Sequence, residues 1–133
     1  VGEGQLGYHV LDDNSELTWE AGPQGGYHVW LAVRMKGLRQ SGTVVTIHAR
    51  DDDDHAQRVL SDRRVIFSFR RDEGGFCTLS GLRLQLDEDP GVNITSLEGH
   101  HIRVTVSAAD PEGSAGSDQV IIIVRGPRVD AGP

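Results

Sequence analysis

The feature that most restricts the fold is a two-residue hydrophobic period. In "HIRVTVSA", Ile102, Val104, Val106 and Ala108 fall on one side of an extended chain, and His101, Arg103, Thr105 and Ser107 fall on the other. A strand with one buried and one solvated face has this pattern. "LRLQL" repeats it with Leu82, Leu84 and Leu86 inward, "VIFSFR" with Val65, Phe67 and Phe69 inward, and "TVVTIHAR" with Val45, Ile47 and Ala49 on one side. Nowhere is the i, i+3, i+4 spacing of an amphipathic helix sustained.

Between these runs lie "KGLRQSG", "RDEGG", "DEDPGVN" and "DPEGSAGS", whose Gly, Pro, Asn and Asp residues have the chemistry of turns. Strands are expected near 6 to 11, 15 to 20, 27 to 36, 43 to 50, 63 to 71, 79 to 86, 99 to 109 and 118 to 125. The stretch from 51 to 62 is left for a short helical turn or an edge strand. No helix-length crossover separates the strands, so the predicted fold is all-β: a single antiparallel sandwich of about eight strands over residues 1–126, with 127–133 as a tail or linker. The 133 residues suit one domain with its own core.

Charge and cysteine content narrow the functional classes. A net charge of −7 opposes nucleic acid and anionic membrane surfaces as partners, because both select for clustered positive potential. The single cysteine, Cys77, cannot form an internal disulfide and reads as a small buried residue. No apolar run approaches the ~20 residues of a membrane-spanning helix. The first residue is Val1, which fits a processed, exported chain. No G-x-S-x-G or H-E-x-x-H pattern is present, so no enzyme is expected.

The segment "LEGHHIRVTVSAADPEGSAGSDQVIIIV" resembles the last hairpin of immunoglobulin-like and cadherin-like sandwich modules of bacterial cell-surface proteins, over about a fifth of the chain. "GPQGGYHVWLAVR" is similar to a run in uncharacterised predicted lipoproteins of myxobacteria-like Gram-negative bacteria. The two resemblances imply an immunoglobulin-like fold and an exported setting (periplasm, outer-membrane surface or extracellular), with a lipid anchor upstream. They imply no chemistry. The paired cysteines of antibody-type domains and a Tyr at the corner before Val104 are absent.

"GPQGG" lacks the Lys-Ser/Thr and the following helix of a phosphate-binding loop, and reads as a turn before a strand. In that strand Tyr27, Val29, Leu31, Val33 and Met35 are expected inward and His28, Trp30, Ala32 and Arg34 outward. A tryptophan on an outer face is covered by a terminal segment or by a partner, and His28, Trp30 and Arg34 are the candidate partner-binding residues. The closing strand raises the same question, since Ile121 and Ile123 alternate with Val120, Ile122 and Val124.

Two metal sites are also conceivable. Simple strand alternation carries "GPQGG", "DDDDH" and "DEDPG" to one end, where Asp51, Asp52, Asp53, Asp54, Asp87, Glu88 and Asp89 form a solvated acidic patch or, without Glu88, a calcium site. His9, His28, His48 and His101 are isolated solvent-facing groups or, if adjacent strands gather them, copper or zinc ligands. Consecutive side chains diverge, so His100 and His101 cannot chelate together from one strand face. The functional expectation is a structural or protein-interaction module of an exported cell-envelope protein, acting alone or as a subunit of a larger assembly. A metal-binding envelope protein is the alternative.

Overall fold

A computed structural model describes residues 2–3, 9–22, 26–35, 41–54, 58–68, 70–71, 77–88 and 91–127. The chain is all-β. Its strands are β1 (Gly2–Glu3), β2 (His9–Val10), β3 (Ser15–Thr18), β4 (Glu20–Ala21), β5 (Tyr27–Met35), β6 (Ser41–Asp51), β7 (Val59–Ser68), β8 (Arg70–Arg71), β9 (Cys77–Gln85), β10 (His101–Ala109) and β11 (Ala115–Arg125). The one helical element among the described residues is a 3-10 turn at Ile94–Leu97, capped by the Asn93 side chain, which accepts from the Thr95 N–H. No described helix is long and apolar enough to cross a membrane.

The strands form two sheets. The first has the order β2-β1-β5-β9-β8, with β4 added against β5, and the second has the order β3-β11-β10-β6-β7. The chain changes sheets between Ser68, paired with β6, and Arg70, paired with β9. The inward faces share one hydrophobic cluster, in which Val29, Leu31, Leu82, Leu84 and Leu86 of the first sheet join Val45, Ile47, Ile102, Val104, Ile122 and Val124 of the second. The alternation in β10 is realised residue by residue, buried at even positions from Ile102 to Ala108 and partly exposed at odd ones from His101 to Ser107.

The structure differs from the sequence expectation in two respects. Four of the eleven strands among the described residues are two-residue pieces too short to leave a period in the sequence, which is why about eight were expected. The ladder is not wholly antiparallel, since β3 runs parallel to β11, Ser15 opposite Ile122 through Thr18 opposite Arg125. Of the two alternatives left open for 51 to 62, the edge strand is the one that forms: Val59 to Asp62 begin β7, paired with Arg50 through His48. Tryptophan adds an unanticipated core group. Trp19 is buried, donates its backbone N–H to the Arg125 carbonyl at 2.9 Å, and lies so close to Gly126 that a β-carbon there would sit 2.9 Å from its ring. The inward side chains expected at Val65, Phe67, Phe69 and Met35, the Cys77 side chain, and the tail from 128 lie outside the described residues.

Candidate functional site

The β5 turn, the aspartate run and the loop after β9 meet at one end of the molecule. At the two described ends of "GPQGG", Gly22 donates its N–H to the Gly26 carbonyl at 2.9 Å, and Gly26 has φ +77°, where a β-carbon would lie 2.6 Å from the Gln85 amide nitrogen. Asp87 fixes this turn by accepting the Tyr27 N–H at 2.9 Å. Glu88 accepts from the Ser61 hydroxyl at 3.0 Å. The two described acids of the second run are thus tied to neighbouring strands. Asp89 lies outside the described residues.

The four aspartates diverge, because strand alternation continues through the end of β6. Asp51 points inward and is buried. Its Oδ1 accepts the Asp53 N–H at 3.0 Å, and its Oδ2 lies 2.8 Å from His100 Nδ1. Asp52, on the outer face with Arg50, accepts from Arg103 Nε at 2.9 Å and lies 2.8 Å from its Nη2. That carboxylate holds the Arg103 guanidinium above the ordinary arginine value. Asp53 Oδ2 accepts the His101 backbone N–H at 2.7 Å and meets His101 Nδ1 at 3.0 Å. Those two hydrogen bonds, the backbone one first, pull the Asp53 carboxyl below its ordinary value. Asp54 Oδ2 accepts the Arg58 N–H at 3.2 Å.

The calcium set read from the sequence is therefore not assembled as expected. Asp52 and Asp87 serve an arginine and a backbone amide, whereas Asp51 and Asp53 come together with His100, their ligand atoms all within 4.8 Å of one another. These three border a cavity of about 240 Å³ whose other walls include Asp54, Arg58, Val92, Ser96 and Leu97. His100 is the residue that sequence reasoning missed. Divergence of His100 and His101 was foreseen, but its consequence, one histidine for each of two aspartates on a neighbouring strand, depends on the β6–β10 register.

The sheet histidines are not gathered. His28 lies in the first sheet, while in the second His48 is paired with Thr105, four residues along β10 from His101. His48 instead lies 3.9 Å from Asp62. The side chain of His9 is outside the described residues.

The outer face of β5 forms a second cluster. Trp30 is half-buried, opposite Arg83, whose guanidinium lies 5.3 Å from its ring centre, and its indole N–H donates to Glu20 Oε2 at 2.7 Å. His28 meets Trp30 edge-on with ring centres 4.7 Å apart. The terminal segment expected to cover this face does so in part, since β4 pairs Glu20 with His28. Arg34 is exposed on the same face, whereas His28, expected outward, is buried beneath its neighbours, with Nε2 lacking a hydrogen-bond partner and standing 4.0 Å from Glu20 Oε2.

Burial, and secondarily the charge of Arg83, hold His28 below the ordinary imidazole value, against the opposing pull of Glu20. The unfolded chain takes up this proton near pH 6.5 and the folded chain only at lower pH. The stability contributed by neutral His28 is complete above that value and drains away as the pH falls through the folded pKa. Thermal unfolding from pH 7.5 downward is expected to show an acid-side loss that is smaller in His28→Gln. Equal slopes in the two proteins would remove His28 as the cause.

Comparison with family models, with curated proteins and with solved structures finds no match to this chain.

Proposed function

We propose that the chain is an immunoglobulin-like sandwich acting as a non-enzymatic interaction module of an exported cell-envelope protein, with any lipid anchor upstream. Its strand order supports the fold: β1, β5, β9 and β8 stand as the A, B, E and D strands of such a domain, and β6, β10 and β11 as C, F and G. The exported setting rests on the resemblance of the β10–β11 hairpin to cell-surface modules. In that hairpin Asp110 Oδ1 accepts the N–H groups of Glu112 and Ser114, and Gly113 takes φ +92°.

The observation that carries the interaction reading is the Arg83–Trp30 pair on the outer face of β5 and β9. Tryptophan and arginine are enriched in binding hot spots, tryptophan for its large rigid apolar area and arginine for its planar guanidinium with several donors. Arg34 extends this face along β5, with His28 as the support beneath Trp30. In a chain of net charge −7, a face carrying Arg34 and Arg83 favours a protein partner that presents carboxylates.

The test is affinity capture from the envelope fraction of the source organism by the wild-type chain, Trp30→Ala and Arg34→Glu. Both variants are first checked for an unchanged circular dichroism spectrum. A protein retained by the wild type and lost with both variants supports the reading, and equal capture by all three contradicts it.

A further inference from the structure

We propose that Asp51, Asp53 and His100 form a binding site for a divalent transition-metal ion of the zinc class. The donor set is mixed: the carboxylate of Asp51 at the end of β6, that of Asp53 in the turn after it, and an imidazole from the residue before β10, with donor atoms all within 4.8 Å of one another. In tetrahedral coordination, with bonds of about 2.1 Å, donor atoms stand about 3.4 Å apart. Rotations of the exposed Asp53 and half-exposed His100 side chains, moving donor atoms by about an ångström, close the set around an ion. Asp51 needs the least adjustment. It is buried, and its Oδ1 is fixed by the Asp53 N–H, leaving Oδ2 toward the imidazole.

The donors also indicate which ion. Calcium takes six to eight oxygen ligands, and the other described carboxylates at this end are engaged elsewhere, Asp52 with Arg103, Asp54 with the Arg58 N–H, Asp87 with the Tyr27 N–H and Glu88 with the Ser61 hydroxyl. An imidazole with two carboxylates suits zinc and its neighbours. The ion would take the place of the hydrogen between His100 Nδ1 and Asp51 Oδ2, which stand 2.8 Å apart, with the neutral imidazole carrying its one proton at Nε2. Around the site, the His101 N–H and ring nitrogen hold Asp53 Oδ2, and Val92 and Leu97 supply an apolar wall. The cavity leaves room for a fourth ligand from solvent. Arg58 borders it, but its guanidinium donates to the Gly91 carbonyl at 3.4 Å.

The test is calorimetric titration of the whole chain at pH 7.5 with zinc chloride, and separately with calcium chloride. Cobalt(II), followed by its visible absorption, reports the coordination. The variants are His100→Gln and Asp53→Asn, which keep hydrogen-bonding groups in place, and His48→Gln as a control at a different histidine. The expected result is one zinc per chain, a visible cobalt spectrum, and affinity reduced at least ~10–100-fold in His100→Gln and Asp53→Asn but unchanged in His48→Gln. Zinc affinity within twofold of wild type in both site variants overturns the proposal, as does calcium binding as tight as zinc or no zinc binding at millimolar concentration. Unchanged circular dichroism spectra separate loss of a ligand from loss of the fold.

Discussion

Ile102→Ala is expected to lower the free energy of unfolding by about 2–5 kcal/mol, the range for removing a large aliphatic side chain from a closed core. Ile102 is fully buried in the central strand of the second sheet, between Ile122 of β11 and Asp51 of β6. The packed sheets on either side cannot collapse into the space left behind. Since whole domains are stable by only about 5–15 kcal/mol, the loss would bring the chain close to unfolding at room temperature. Urea denaturation measures it directly. Thr105→Ala on the opposite face of β10 is the comparison and should cost no more than about 0.5 kcal/mol. Similar costs for the two would mean that the faces of β10 are assigned the wrong way round.

The second large effect is expected at Asp51. Replacing it with alanine removes the acceptor of both His100 Nδ1 and the Asp53 N–H, at a cost of about 3 kcal/mol for two hydrogen bonds to a charged group. Asp51→Asn should cost less, because its amide oxygen still accepts the Asp53 N–H. The effect should also be local. In hydrogen exchange, the amides of Asp52 and Asp53 are expected to lose protection while those of Val104 and Val106 keep theirs relative to global stability. Uniform loss of protection would show that Asp51 acts on the whole core and not on the loop.

These two residues mark where sequence reading succeeds and where it stops. Ile102 could be placed from the sequence because the side-chain period of a strand is two, and the same held for Leu82 to Leu86 and Val29 to Val33. Burial on one face requires only the local pattern. The partners of Asp51 could not be read this way, since its histidine comes from just before a strand that begins 50 residues later, positioned by the β6–β10 register. His28 fails for a related reason: alternation places it on the outer face, but Glu20 and Arg83, brought by β4 and β9, turn that face into a covered one. The two-residue strands leave no periodicity to read, and the parallel pairing of "SELT" has no sequence signature, since parallel and antiparallel edges use the same residues.

That parallel edge has a mechanical consequence. β3 lies near the beginning of the chain and β11 near its end, and they run side by side in the same direction. Tension applied to the chain before β3 and after β11 pulls Ser15 and Arg125 apart along the strand axis. The hydrogen bonds between the strands then lie across the direction of pull and share the load together, instead of parting one at a time as in a hairpin opened from its mouth. Small as it is, a four-residue strand in this orientation works as a clamp at the edge of the second sheet.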